Sequence, residues 1–141
     1  MRSTLLALPL ALALSAPVKA AGVRVEVEGI EPGGGAVYVT LCQGGLSEGA
    51  CARGRKLSDS LPRLSIVFDD VTPGTYAVAT FQDQSGDGRL DRTGLGLPLE
   101  PYGLSGNAGR RARPDFTDAA FPVQEPGAAV RVSLSRVLPR R

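Results

Sequence analysis

The chain alternates apolar and charged side chains without a fault over Val23-Arg24-Val25-Glu26-Val27-Glu28. Successive side chains of a β-strand point to opposite faces, so this period of two predicts a strand with one buried face and one face in water. Pro32 and the three glycines after it interrupt the pattern, and residues 36–42 resume it as a second strand. Because the connection is short, we expect the two strands to pair as a hairpin.

Four further strand-like segments follow, each flanked by turn-forming residues: 64–68, 75–81, 120–123 and 129–134. Residues 43–63 and 82–118 carry no clear period, although a short helical turn with Asp115 near its start is predicted at 114–119. Short strands without a helical period predict an all-β fold. We expect a single antiparallel β-sandwich with one long loop, residues 82–118.

Residues 1–20 have the layout of a secretory signal peptide. Arg2 supplies a positive charge, residues 5–16 are apolar, and a small residue, Ala20, precedes the expected cleavage site. The apolar run is too short to span a bilayer, so a retained anchor or an N-terminal helix is the less favoured alternative. We therefore expect an exported protein, periplasmic or secreted, whose mature chain 21–141 is one domain without a transmembrane segment.

The mature chain is expected to carry no net charge. Arg2 and Lys19 belong to the predicted signal, and without these two of the 16 basic residues the basic and acidic residues are equal in number at 14. A neutral chain has no general attraction to nucleic acid, so we expect no nucleic-acid partner. The two cysteines, Cys42 and Cys51, are expected to form a disulfide in an oxidising compartment, with two unpaired thiols as the alternative.

Residues 83–91, directly after the fourth strand, carry a pattern of side-chain oxygens. These oxygens fall at the first, third, fifth and ninth positions, with a glycine at the sixth and an apolar residue at the eighth. This is the front half of a calcium-loop pattern, in which the seventh residue contributes its carbonyl oxygen. The candidate calcium ligands are Asp83, Ser85, Asp87, Arg89 and Asp91.

Two features separate this loop from a helical EF-hand. Its twelfth position is Gly94 in place of a bidentate glutamate, and Glu100 comes six residues later than that. Calcium would then bind in the range of about 10⁻⁴–10⁻³ M that is typical of extracellular modules. The alternative is a metal-free turn, because Asp and Ser side chains readily bond nearby backbone N–H groups. In both cases Leu90 is expected to anchor the loop to the core.

The chain has no histidine, so Ser-His-Asp, Cys-His and His-bearing zinc sites are absent from it. Lys56 and Ser58 could form a Ser–Lys dyad, although a solvated lysine beside a loop serine is favoured, and paired carboxylates could serve glycoside hydrolysis. A small hydrolase or carbohydrate-active enzyme that uses Asp83, Asp87, Asp91 or Glu100 is therefore the alternative to a non-catalytic protein. The three aspartates are so close in sequence that shared cation ligation or turn formation fits them better than an acid/base pair.

The strand–turn–strand segment 68–76 resembles the PGxY hairpin of prealbumin-like sandwich domains, with Pro73 fixing φ and Gly74 supplying a positive φ. Together with the segments 83–91, 96–105 and 114–121, it is similar to the DUF2141 family of uncharacterised exported bacterial proteins. The resemblance implies an exported prealbumin-like β-sandwich and no particular activity. This chain has Gln82 where the family frequently has histidine, which argues against histidine-dependent chemistry here.

These observations favour an exported, non-catalytic binding or structural module. The long loop 82–118 would be its working surface, and calcium would order the part at 83–91. An envelope protein, an extracellular protein or a glycan is the expected class of partner.

Overall fold

The computed structural model describes residues 13–17, 20–110 and 114–139, so most of the predicted signal peptide, 1–20, lies outside the described residues. This part of the chain contains eight β-strands, a 3₁₀ helix and one short α-helix. In chain order they are β1 Ala21–Glu28, β2 Ala36–Cys42, β3 Arg53–Leu57, β4 Arg63–Val71, β5 Gly74–Asp83, β6 Tyr102–Leu104, the 3₁₀ helix Ser105–Arg110, α1 Phe116–Ala119, β7 Phe121–Val123 and β8 Gly127–Ser133.

The strands form two sheets that pack face to face, which confirms the predicted all-β sandwich. The smaller sheet has the strand order β4-β1-β8, and the larger has β3-β2-β5-β6, with β7 pairing the first residues of β5. Val23, Val25 and Val27 of β1 are fully buried, whereas Arg24 between them is exposed. The alternating sequence therefore predicts correctly which face of β1 meets the core.

The predicted hairpin between β1 and β2 is wrong. β1 pairs with β4 and β8 in one sheet, while β2 pairs with β3 and β5 in the other. The β1–β8 pair is parallel, so the sandwich is not purely antiparallel as expected. The connection after β1 holds three glycines with positive φ, Gly29, Gly33 and Gly35, and these let the chain turn out of one sheet and into the other.

Segment 68–76 likewise joins the two sheets, because β4 pairs with β1 and β5 pairs with β2. The turn lies where the sequence predicts it, but the positive φ falls on Asp70, at 54°, and not on Gly74. Here the register of β1 against β4 shifts, from Val23 opposite Phe68 to Ala21 opposite Val71. The unusual backbone of Asp70 thus belongs to a bulge in β4.

The segments without a clear period contain more structure than the sequence predicts. Strand β3 lies within 43–63, and the connection 82–118 holds β6, the 3₁₀ helix and α1. The predicted helical turn is confirmed as α1, since Asp115 is its N-cap and forms a capping box with Asp118. Among the described residues of the predicted long loop, 84–101 and 114–115 lie outside these elements and the end of β5.

The main core lies between the sheets and is dominated by valine from β1, β2, β5 and β8, with Phe68 of β4 fully buried among them. A second cluster covers the outer face of the larger sheet: Cys42, Ala77, Tyr102, Leu104, Ala108 and Ala119. The segments that follow β5 therefore fold back over that outer face. The predicted disulfide is confirmed, with an S–S distance of 2.07 Å between Cys42 and Cys51. Within the described residues, no helix is both long and apolar enough to cross a bilayer.

Two glycines of the β1–β2 connection provide a matched test of this packing. Gly35 has a φ of 105°, and a Cβ on it would lie 1.9 Å from the backbone carbonyl oxygen of Asp83. Gly33 also has a positive φ, 74°, but a Cβ on it would meet nothing within 4 Å. We expect Gly33→Ala to lower the free energy of unfolding by about 1–2 kcal/mol, from backbone strain alone. Gly35→Ala should cost about 3 kcal/mol or more, because the backbone must also move. Urea denaturation measures both losses, and equal values would contradict the close approach to Asp83.

Candidate functional site

Asp83, the last residue of β5, turns its carboxylate toward the loop that follows it. Its Oδ1 accepts hydrogen bonds from the backbone N–H of Gly86 at 2.9 Å and from the Ser85 hydroxyl at 3.3 Å. Its Oδ2 accepts from the backbone N–H of Gly88 at 2.7 Å. Gly86 and Gly88 both have positive φ, which only glycine adopts readily, so the loop can wind around the carboxylate. Asp83 is 4% exposed, and its charge faces these donors and not open water.

Glu100 holds the same loop from its other end. Its Oε1 accepts from the backbone N–H groups of Gln84 at 2.7 Å and Ser85 at 3.1 Å, and its Oε2 accepts from that of Asp91 at 3.0 Å. Glu100 is also 4% exposed. We call Asp83 and Glu100 the carboxylate clamp. Hydrogen bonds to a carboxylate are stronger than neutral ones, so the clamp fixes the shape of 84–91.

The remaining predicted ligands lie on the outer side of the loop. Asp87 is exposed and accepts a hydrogen bond of 2.8 Å from the backbone N–H of Arg89, and this bond lowers the pKa of the Asp87 carboxyl. Hydrogen bonds with the side chains of Ser85 and Asp91 lower it further. Ser85 and Asp91 thus both act on the Asp87 carboxyl, and Ser85 also donates to Asp83. Over the described residues, however, no three or more His, Cys, Asp or Glu side chains are grouped as a metal site.

Leu90 anchors the loop, as the sequence predicts. It packs against the second hydrophobic cluster on the outer face of the larger sheet, together with Phe81 of β5. Phe81 in turn stacks on Tyr38 of β2, with ring centroids 5.1 Å apart and planes inclined by 9°. The ammonium of Lys56 on β3 lies 5.7 Å from the centroid of the Tyr38 ring. A row of cross-strand contacts therefore supports the loop from below.

A second group of polar contacts ties the loop to both sheets. Gln82 is fully buried; its amide oxygen accepts from the backbone N–H of Glu31, and its Nε2 donates to the carbonyl oxygens of Glu31 and Gly35. The guanidinium of Arg136 donates to the Glu31 carboxylate at 3.0 Å and to the Gln84 amide oxygen at 2.7 Å. Three segments distant in sequence thus meet at the base of the loop.

The sequence identifies both residues of the carboxylate clamp but predicts other roles for them. Asp83 is among the predicted ligands, but Glu100 enters only as a glutamate placed too late for an EF-hand or as a catalytic candidate. Gln82 and Arg136 carry no recognisable motif, because their partners are backbone groups and side chains far away in sequence. One signal for Glu100 was present: a lone glutamate next to Pro101, in a long loop with many N–H groups to satisfy.

Comparison with known proteins gives one match. The sequence model of the family described as "Uncharacterized protein conserved in bacteria (DUF2141)" matches residues 25–131, which is most of the chain. The match confirms the resemblance seen in the sequence. No curated protein and no solved structure matches the chain.

The clamp predicts a large effect on stability from one side chain. Glu100→Ala leaves three backbone N–H groups without their acceptor. Each unsatisfied buried donor costs about 1–3 kcal/mol, and water that enters the site would bond some of these donors. We therefore expect a total loss of about 3 kcal/mol in the free energy of unfolding. The exposed Glu48 is the matched control, and Glu48→Ala should change stability by less than about 0.5 kcal/mol. Similar losses in the two variants, measured by urea denaturation, would contradict the clamp.

Tyr102 predicts a specific pH dependence. Burial raises the pKa of its phenol, against an opposing effect of the Arg92 charge, and its hydroxyl donates to the backbone carbonyl of Gly109. An unfolded tyrosine titrates at about pH 10, so the folded chain keeps this proton at a higher pH than the unfolded chain. The resulting stability is complete below about pH 10 and is lost as the pH rises through the folded pKa. We expect Tyr102→Phe to flatten the fall in unfolding free energy as the pH rises above about 10. Equal slopes for the two proteins would contradict this assignment.

Proposed function

The chain belongs to the DUF2141 family, and we propose that it is an exported, non-catalytic binding or structural module whose working surface is the loop 84–101. One observation carries this proposal: both carboxylates of the clamp, Asp83 and Glu100, are directed at backbone N–H groups of their own loop. A general acid or base must lie within hydrogen-bond reach of a substrate proton. In this geometry the two carboxylates stabilise the conformation of the loop surface.

The alternative, a small carboxylate-dependent hydrolase or carbohydrate-active enzyme, has less support. A glycosidase needs two carboxylates that face each other across a substrate. Asp87 is exposed and accepts from the backbone N–H of Arg89, whereas Asp91 is half-buried. The aromatic rings beside the loop do not favour a sugar either. Tyr38 and Phe81 stack on each other, and Lys56 lies over the Tyr38 ring.

Calcium is the ligand that we propose for the outer side of the loop. Ser85, Asp87 and Asp91 would supply side-chain oxygens, and Arg89 would supply its carbonyl oxygen, while Asp83 lies beneath them. Because the clamp already forms the loop, calcium would bind to an existing shape and add stability to it. An exposed site of this kind has an expected affinity of about 10⁻⁴–10⁻³ M.

Export and the class of partner complete the proposal. The arrangement of residues 1–20 and the Cys42–Cys51 disulfide both favour an oxidising compartment, periplasmic or extracellular. An envelope protein, an extracellular protein or a glycan would be the partner. The balance of charge in residues 21–141 gives no reason to propose a nucleic acid.

Calcium titration tests the proposed ligand. We expect isothermal titration to give heat at millimolar calcium, and the melting temperature to rise in the same range, because the ion binds the folded loop only. Asp91→Asn should remove both effects. The control is Asp69→Asn, which makes the same chemical change at an exposed residue of β4 and should keep them. No heat and no shift would assign 83–91 to a metal-free turn.

Aspartate-to-asparagine variants of the loop also test the absence of catalysis. We expect no turnover of glycoside, ester or phosphoester substrates by the purified chain. A turnover that survives purification and disappears in Asp87→Asn or Asp91→Asn would contradict the non-catalytic proposal and support the hydrolase. The binding and activity measurements fail independently, so either part of the proposal can be rejected alone.

A further inference from the structure

β3 is the outermost strand of the larger sheet and has one free edge. It pairs with β2 from Leu57 opposite Val37 to Arg53 opposite Leu41, and no other strand of the described chain pairs with it. Residues 52–56 are exposed without a break. An unpaired strand edge presents a row of backbone N–H and C=O groups to any chain that can pair with it.

The exposed residues of β3 carry three positive charges in four positions, on Arg53, Arg55 and Lys56. Among the described residues, none of these three cations lies within 4.0 Å of a carboxylate, whereas Arg63 and Arg136 are both paired with glutamates. The cations of β3 are therefore available to pair with carboxylates of an external partner. The charge is local, because residues 21–141 as a whole are balanced.

The cations are also held in place. The Arg53 guanidinium donates to the backbone carbonyl oxygens of Asp69 at 2.5 Å and Asp70 at 3.3 Å. Both Arg53 and Arg55 lie over the Phe68 ring, 5.9 and 5.7 Å from its centroid. The disulfide at Cys51 fixes the chain just before the strand. A surface ordered in advance loses less conformational entropy when a partner binds.

Gly54 lies between the cations and leaves the backbone bare. A glycine inside a strand weakens it and often marks a place where another backbone approaches closely. Its hypothetical Cβ would lie 3.5 Å from the Thr40 side chain, in ordinary contact, so the larger sheet itself does not demand glycine at this position. The backbone at Gly54 therefore leaves room for an incoming strand.

We propose that the free edge of β3 binds an acidic, extended segment of a partner protein, which adds to the larger sheet as a further strand. Main-chain hydrogen bonds would give affinity, and carboxylates opposite Arg53 and Arg55, which lie on the same face of β3, would give specificity. A second copy of this chain is excluded as the occupant, because pairing two such edges would bring like charges together. Cations on an edge also prevent self-association, and the same charges select the acidic partner.

Binding of labelled peptides to the purified chain tests the proposal by fluorescence anisotropy. The probe alternates glutamate and valine; one control peptide replaces glutamate by lysine, and a second carries a central proline. We expect the acidic peptide to bind at least about tenfold more tightly than either control. Arg55→Glu should weaken this binding about tenfold, whereas Arg24→Glu, a matched reversal at an exposed position of β1, should not change it. Exchange of the β3 amide protons should slow when the peptide binds.

Three results would overturn the proposal. One is equal affinity for the acidic and lysine peptides. Another is full binding of the proline peptide, since that peptide cannot pair along the strand. The third is tighter binding of polyphosphate or anionic lipid vesicles without protection of the β3 amides, which would assign the cations to a polyanion surface. Because β3 is remote in sequence from the calcium ligands, the calcium titration of the same protein remains a separate measurement.

Discussion

Backbone N–H groups in an irregular loop need acceptors, and in this protein two buried carboxylates supply them. Asp83 and Glu100 together accept from five backbone N–H groups between residues 84 and 91, a stretch that has no strand or helix of its own. A buried carboxylate without partners would be strongly unfavourable, and so would five unsatisfied donors. The N–H groups supply donors to the carboxylates, and the carboxylates supply acceptors to the N–H groups. These hydrogen bonds determine the shape of the loop. They also give both carboxylates a structural role.

Contacts with the sandwich further stabilise the loop that these hydrogen bonds shape. Phe81 and Leu90 fix the loop to the outer face of the larger sheet, while Gln82 binds the connection between β1 and β2 through backbone groups alone. After β8 the chain passes β6, where Ser135 exchanges two backbone hydrogen bonds with Tyr102. These contacts join segments that are far apart in sequence, so both sheets stabilise the loop. Its order is a property of the whole domain and not of residues 83–91 alone.

The sequence predicts the faces of the strands well and their neighbours poorly. Alternation at Val23, Val25 and Val27 specifies the buried side of β1, but any strand with a buried face is an acceptable neighbour, and the expected hairpin is wrong for that reason. The sequence does not reveal β3, because an edge strand held by one neighbour needs no apolar alternation, and Arg53–Leu57 shows none. In the site, the local bonds of Asp83 follow from spacing. Glu100 bonds across 9 to 16 positions in sequence, and its role becomes visible only when β5 and β6 pair.

Gln82 shows how a position of apparent chemical interest serves the fold. Its side chain makes three hydrogen bonds to backbone groups, one as acceptor and two as donor. A neutral imidazole has one donor and one acceptor, so a histidine at this position would satisfy at most two of the three groups. A protonated imidazole has two donors and no acceptor, and it would leave the N–H of Glu31 without a partner. The amide is thus matched to the backbone around it, and this buried position at the end of β5 holds the β1–β2 connection against the loop that Asp83 and Glu100 shape.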